Sequence, residues 1–333
     1  MEFMGYVRPD GKVGARNYVA VIPSVTCAND VATPSATRYR VPLHICTIRL
    51  LPDAPDLERV TDTLISLGMS PNVGAILIVS LGCEGTDHER MYKELSATGK
   101  HVEIIHIQEL GGVSKAIQLG TDIARKLVIE ISGLQRQPVD VSKIVMAIKC
   151  GASDTTSGMA SNCVIGYVAD KLVDLGATVI FGETTEFLGG EHLLARRAVN
   201  KEVADKIYEI VTNMENRAKS IGCDMRKGQP TPGNIAGGLS SIEEKSLGAI
   251  VKSGTRPIQG VLEYPQHVTD QKGLWIKDTP GREPEILTGM AATGAQFMMF
   301  STGRGAPQGF PSMPVIKICG NPNTYQRMKM NMT

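Results

Sequence analysis

"VGAILIVSLGCE", residues 73–84, decides the fold. Its first nine residues are apolar or small at odd and even positions alike, so both faces of an extended chain are suited to burial. That is the pattern of a central strand in a parallel sheet, where helices cover both faces. The run stops at Gly82 and delivers a thiol, Cys83, and a carboxylate, Glu84, to the following loop.

Working outward, two other runs end the same way. "YVAVIPSV" (18–25) reads as a buried strand and leads to Cys27, and "KIVMAIKC" (143–150) ends at Cys150, with Asp154 four residues on. Between the first two strands, Leu57, Val60, Leu64 and Leu67 repeat at helical spacing, and Gly68 stops that helix. A strand "VEIIHI" (102–107) follows, then a helix carrying Val113, Ile117, Ile123, Leu127 and Ile131. "GLQRQPVDVS" (133–142) reads as a linker. Beyond it the alternation restarts with "KIVMAIKC", a helix from about Gly158 to Leu175, the strand "ATVIFG" (177–182) and a helix striped by Val203, Ile207, Ile210 and Met214. Residues 226–290 are rich in Gly, Pro and Thr and predict long loops, before a late strand, "AQFMMFST" (295–302). The expected class is α/β: two Rossmann-like units with mainly parallel sheets, over 1–135 and 140–333, the second carrying long Gly/Pro-rich loops. No G-x-G-x-x-G opens a helix directly after the first strand, which argues against a dinucleotide site.

Composition narrows the function by exclusion. Lys and Arg number 35 against 34 Asp and Glu, a formal charge of +1, so no electrostatic pull toward nucleic acid or a membrane surface is expected. No apolar run approaches a bilayer's thickness, and the polar start does not read as a signal peptide, so a cytoplasmic protein is expected. Seven cysteines at wide spacing, with no C-x-x-C pair, fit free thiols better than a disulfide framework or a zinc ribbon.

Ligands of open α/β sheets bind outside the carboxyl ends of strands. If Cys27, Cys83 and Cys150 converge on one rim with Glu84 and Asp154, their thiolates would suit iron, as Fe2+ or an iron–sulfur centre, better than magnesium or calcium. Free cysteine is also among the most buried of residues, and the same positions suit plain packing. Two further stretches carry chemistry. In "FGETTEFLGGEHLLARRA" (181–198), Glu183, Glu186, Glu191 and His192 could move protons or hold a hard cation; equally, Glu191 would favour a helix N-terminus. In "STGRGAPQG" (301–309), Arg304 between Gly303 and Gly305 could grip a carboxylate, or mark a bare turn.

Six blocks, among them "PNVGAILIVSLGCE", "IKCGASDTTSGMASN", "ETTEFLGGEHLLARRAV" and "DTPGREPEILTGMAATGAQFMMFSTGRG", occur in the order found in the altronate/galactarate dehydratase family. The chain resembles that family from about Gly5 to Met328; the family also includes the large subunit of sulfolactate sulfo-lyase. The resemblance implies a metal-dependent hydro-lyase that converts a sugar acid such as altronate or galactarate to a 2-keto-3-deoxy acid, with a divalent metal, typically iron. It implies Cys27, Cys83, Glu84, Cys150 and Asp154 as metal ligands or their neighbours. Arg304, Ser153 and the amides of Gly303 and Gly305 would hold substrate, and Glu183, Glu186 and His192 would transfer protons. Two alternatives stand beside it: the large subunit of a carbon–sulfur lyase, and a truncated, inactive relative serving as a binding or assembly partner. The chain departs from the family where a His-Gly-x-Gly-Cys-Gly segment is usual; residues 37–55 read "TRYRVPLHICTIRLLPDAP", with His44 and Cys46 but no glycine. The small N-terminal domain of one-chain dehydratases has no counterpart, so a separate small subunit is an expected partner, as is homo-oligomerisation.

Overall fold

The computed structural model describes residues 1–37, 43–44 and 54–332. The N-terminal part runs β1 (Glu2–Val7), β2 (Val13–Gly14), β3 (Tyr18–Pro23), α1 (Asn29–Thr37), β4 (Leu43–His44), α2 (Ala54–Met69), β5 (Val73–Ser80), α3 (His88–Ser96), β6 (His101–His106), α4 (Val113–Ser132) and β7 (Gln137–Asp140). The chain continues as β8 (Val145–Gly151), α5 (Asn162–Asp174), β9 (Thr178–Phe181), α6 (Glu191–Ala195), α7 (Lys201–Ser220), α8 (Met225–Gly228), α9 (Pro232–Ala236) and α10 (Ile242–Ile250). β10 (Ile258–Leu262), β11 (Gly273–Lys277), α11 (Glu283–Ala292), β12 (Phe297–Thr302), β13 (Val315–Cys319) and α12 (Pro322–Arg327) complete it.

The run that opened the sequence is β5, central in a four-stranded sheet of order β4-β3-β5-β6, and every pairing in it is parallel. Ala75 to Val79 are fully buried, with alternate residues entering different clusters: Ala75, Leu77 and Val79 on the α1/α4 side, Ile76 and Ile78 on the α2/α3 side. Burial of each such branched side chain contributes about 1.5–3 kcal/mol. The second sheet has six parallel strands in the order β10-β11-β9-β8-β12-β13. Both parallel sheets carry helices, so the chain is α/β, as expected.

Three readings change. Residues 133–142 are not a bare linker: β7 pairs antiparallel with β1, Glu2 facing Asp140, within a three-stranded sheet of order β2-β1-β7. The stretch 226–290 is not mainly loop either, because it supplies α10, β10 and β11. Those strands span only five residues each, with Gly260 inside one and Lys277 closing the other, so their periodicity is too brief to read. In α4 the inner stripe is Ala116, Gly120, Ala124, Leu127 and Ile131, while Val113 is exposed. Small residues face inward because α1 comes close; a Cβ on Gly120 would lie 2.7 Å from Ser35 Oγ.

The two parallel sheets are joined by polar and apolar contacts. Asn72 is fully buried; its Oδ1 accepts from the amides of Ala15 (2.9 Å) and Arg16 (3.1 Å), and its Nδ2 donates to the carbonyls of Gln296 and Ser312, both 2.8 Å. Leu67 of α2 packs with Leu262, Ile286 and Met290 of the second half.

Candidate functional site

β8 and β12 are neighbours, yet the chain leaves β8 toward β9 on one side and reaches β12 on the other. This is a topological switch point, whose crevice outside the strands' carboxyl ends is the usual ligand position in such sheets. The loop after β8 is built around Asp154, which is 4% exposed. Its Oδ1 accepts from the Thr156 hydroxyl (2.6 Å) and the Ser157 amide (3.2 Å), and its Oδ2 from Asn321 Nδ2 (2.9 Å). Gly303, after β12, is required by this approach, since a Cβ there would lie 1.9 Å from Asp154 Oδ1. Ser153 is buried beside it, and its carbonyl accepts from Asn234 Nδ2 at 2.9 Å.

Behind the loop lies a charged cluster closed to solvent: Lys149, Cys150, Glu183 and Lys252 are all 2% exposed or less. Glu183 Oε1 accepts from Lys149 Nζ (3.2 Å); Oε2 accepts from Lys252 Nζ (2.7 Å) and the Cys150 amide (2.9 Å). The Cys150 thiol donates to Glu183 Oε2 (3.4 Å) and accepts from Lys252 Nζ (3.1 Å). Burial disfavours the Glu183 carboxylate, but the Lys252 and Lys149 ammoniums and the Cys150 amide outweigh it and hold its pKa below the usual range. Burial and the Glu183 charge push the Cys150 thiol up to about 12. Burial opposes the Lys252 ammonium, but the Glu183 carboxylate beside it, with the Glu186 charge farther off, raises its pKa and keeps it protonated. Two cations therefore meet one carboxylate and a neutral thiol, an arrangement with one positive charge in excess.

Backbone strain concentrates here. Glu183 (φ 73°) and Ala152 (φ 49°) are the non-glycine residues with positive φ among those described. Such conformations cost on the order of 1–3 kcal/mol each and persist where surroundings over-determine them. Glu183 is held by its amide, which donates to Thr279 Oγ1 at 2.9 Å. In the register of the sheet, Lys149, Phe300 and Lys317 form one row, with the two ammoniums 4.6 and 4.1 Å from the ring centroid.

An open cavity of about 600 Å³ adjoins the loop, lined by Ser153, Asp154, Ser157 and Asn162 on one side and by Lys245 and Val251 on the other. Lys245 Nζ pairs with Glu186 at 3.1 Å, which brings Glu186 to the cavity's edge.

The structure thus gathers Ser153, Asp154, Cys150, Glu183 and Glu186 around β8, and Gly303 meets Asp154. Other expectations are corrected. The amides of Gly303 and Gly305 are not free for a substrate, because Gly303 N donates to the Ala152 carbonyl (3.3 Å) and Gly305 N to Thr302 Oγ1 (3.0 Å). Arg304 presents an exposed side chain, and His192 is exposed on α6, outside the buried cluster. Cys27, Cys83 and Glu84 belong to the other parallel sheet. Glu84 lies at that sheet's own switch point, where Ser24 Oγ (2.6 Å) and the Gly82 amide (2.6 Å) donate to it. Burial acts against that carboxylate, but hydrogen bonds from Ser24 and nearby amides hold its pKa at about 2. Cys27 and Cys83 are exposed. Among the described residues no three His, Cys, Asp or Glu side chains group as metal ligands, so the five proposed donors do not share one rim. Cys150 is engaged by Lys252 and Glu183, and Asp154 by neutral donors; among the described residues the metal that the resemblance implies finds no complete donor set. His44 (its side chain) and Cys46 lie outside the described residues.

Sequence reading missed Lys149, Lys252, Lys245 and Asn321. Lys149 carries a signal, a charge inside an apolar strand; Lys252 lies in a stretch read as loop and carries none.

With this geometry in view, similarity to known proteins is informative. The D-galactarate/altronate dehydratase C-terminal model matches residues 141–333, and that of the D-galactarate dehydratase/altronate hydrolase second domain matches residues 5–132. The chain belongs to the D-galactarate/altronate dehydratase family. It is 39% identical over 331 residues to (2R)-sulfolactate sulfo-lyase subunit beta of Chromohalobacter salexigens, covering 98% of this chain and 84% of that one. It is 30% identical over 338 residues to altronate dehydratase of Bacillus subtilis (97% and 66%). Against galactarate dehydratase (L-threo-forming) of Escherichia coli it is 31% identical over 337 residues (95% and 64%). It therefore spans about two thirds of the length of these last two relatives. Membership places it among lyases and dehydratases. No helix among the described residues is long and apolar enough to cross a membrane.

Proposed function

We propose that the chain is a cytoplasmic hydro-lyase acting on a sugar acid such as altronate or galactarate, with the reaction at the β8/β12 crevice and a 2-keto-3-deoxy acid as product. The observation that carries this reading is the buried Lys149–Glu183–Lys252 cluster with its excess positive charge, placed behind an open cavity at the switch point. Loss of water next to a carboxylate begins with removal of the α-proton, which builds negative charge on the carboxylate oxygens. Buried ammoniums stabilise such charge strongly because no water screens them. Glu183 fixes the two lysines, and its strained backbone aims the carboxylate between them. At the cavity's edge the Lys245–Glu186 pair exchanges the proton, and Ser153 orients a hydroxyl group. The electron pair left by the α-proton rests on the carboxylate oxygens as an enediolate and becomes the Cα=Cβ bond as the Cβ–O bond breaks; the β-hydroxyl leaves as water after taking a proton, and the resulting enol tautomerises to the 2-keto acid.

A second reading, that the chain is the large subunit of a carbon–sulfur lyase, is favoured by the 39% identity to a protein named as a subunit beta, 84% of whose length is matched. The same site serves it, with sulfite as leaving group and a small subunit as partner. Incubation of the pure chain, alone and with a candidate small subunit, with hexonates, hexarates and sulfolactate separates the two. Production of 2-keto acid from a sugar acid supports the first, and sulfite release supports the second. Full activity of Lys252→Met on every substrate would refute the site.

A further inference from the structure

We propose that the chain carries a second ligand site, at the carboxyl ends of β9, β10 and β11, and that it takes a zwitterionic amino acid with an apolar side chain. A cavity of about 280 Å³ lies there, on the same rim of the six-stranded sheet as the β8/β12 crevice but lined by different residues. Its walls are the loops that follow the three strands, at Thr184, Glu263 and Asp278, together with α2 and α7. Both halves of the chain build it, since α2 covers the first parallel sheet.

Charges of both signs line this cavity and are kept apart. Arg59 of α2 and Arg217 of α7 supply two guanidiniums, against the carboxylates of Glu263, Asp278 and Glu285. Among the described residues neither arginine side chain has a hydrogen bond or an ion pair. Glu263 and Glu285 lean on cations outside the lining, Lys206 (3.6 Å) and Arg282 (2.7 Å). Asp278 meets no cation within ion-pair distance among the described residues; its Oδ1 accepts from the Thr184 hydroxyl at 2.6 Å. Burial, with the Glu263 charge adding to it, raises the Asp278 pKa above the usual carboxylate range, and Arg217 and Arg59 act from too far to reverse this. Two cations and one anion thus lack partners. A ligand with one group of each sign satisfies them, its carboxylate between the guanidinium forks and its ammonium at Asp278. A simple anion or cation would meet like charge on one wall. Ile210, Met214 and the Tyr264 ring complete the lining and leave an apolar place for the side chain.

Thr184 and Thr279 stand between this cavity and Glu183. The Thr184 hydroxyl donates to Asp278, its amide donates to the Thr279 carbonyl (2.9 Å), and Thr279 Oγ1 accepts from the Glu183 amide (2.9 Å). An occupant held by Asp278 therefore braces the loop that carries the strained Glu183. The site stands whether or not the crevice performs the chemistry proposed above.

L-Leucine serves as probe, with two close analogues: L-leucinamide lacks the carboxylate, and L-2-hydroxyisocaproate has a hydroxyl in place of the ammonium. Isothermal titration into the full chain is expected to show saturable leucine binding, with both analogues weaker by about tenfold or more. Arg217→Met and Asp278→Asn, each checked for fold by circular dichroism, are expected to weaken leucine by a similar factor. The unaltered protein supplies the location: with leucine bound, amide hydrogen exchange is expected to slow several-fold over residues 183–185 and 278–280 but not over 153–157. No saturable binding of leucine, equal binding of either analogue, indifference to either substitution, or protection at 153–157 instead would each overturn the proposal.

Discussion

Glu183→Gln isolates the charge of the buried cluster without changing its shape. The carboxylate accepts from Lys149 Nζ, Lys252 Nζ and the Cys150 amide. The amide side chain keeps one acceptor oxygen but turns an NH2 toward one of two ammoniums, leaving both cations uncompensated. Breaking a buried ion pair from one side costs about 3–5 kcal/mol. That is a large part of a typical net stability of about 5–15 kcal/mol. Urea unfolding at neutral pH is expected to show a loss of this size. The sign with pH follows from the direction of each shift. Glu183 has a lowered pKa in the fold, so its contribution is present above the ordinary carboxylate range and disappears as pH falls through its folded value. The gap between wild type and variant should therefore close in acid. Adding Lys252→Met to Glu183→Gln removes one stranded cation, so the double variant is expected to be more stable than the sum of the single losses. A loss below about 1 kcal/mol, or a gap that persists unchanged in acid, would refute the cluster as drawn.

Gly303→Ala sets a Cβ 1.9 Å from Asp154 Oδ1 and is expected to cost about 1–3 kcal/mol in urea unfolding, with reduced turnover. In an Asp154→Ala background the same change should cost much less. Glu84→Gln should remove about 1–2 kcal/mol at neutral pH, the worth of the charge-assisted hydrogen bonds from Ser24 and the Gly82 amide that hold its pKa low. That difference should be fully present above pH ~5 and vanish near pH ~2; a pH-independent difference would contradict the assignment. Because the Cys150 sulfur is occupied by Lys252 and Glu183, Cys150→Ser is expected to keep whatever iron the anaerobically purified wild type carries, as measured by elemental analysis.

What could be read beforehand has a physical pattern. The long, doubly apolar run at β5 and the shorter ones at β3 and β8 can be satisfied only by parallel strands under helices, so the α/β class followed from them. Cys83, Glu84 and Asp154 do follow their strands, whereas Cys150 still belongs to β8, and a linear sequence does not say which sheet a strand joins. Cys83 and Cys150 end strands of different sheets, and the imagined common rim divides there. Asp154 and Gly303 were legible as candidates because glycine and a lone acid after strands suggest close approach. Their actual relation, the glycine making room for the acid, needed the register of β8 against β12. Lys252 was out of reach: its partner Glu183 lies 69 positions away, and nothing in its neighbours indicates burial.

The Asn72 carboxamide has every hydrogen-bonding position filled, two by amides near the chain's start and two by carbonyls near its end. Neither half can then be lifted out, or exchanged for that of a cousin, without orphaning groups on this single side chain. A chimera made by swapping halves must bring backbone oxygens to the places of Gln296 and Ser312, whatever else it carries. Interchangeability within the family is thus limited by a residue remote from any chemistry.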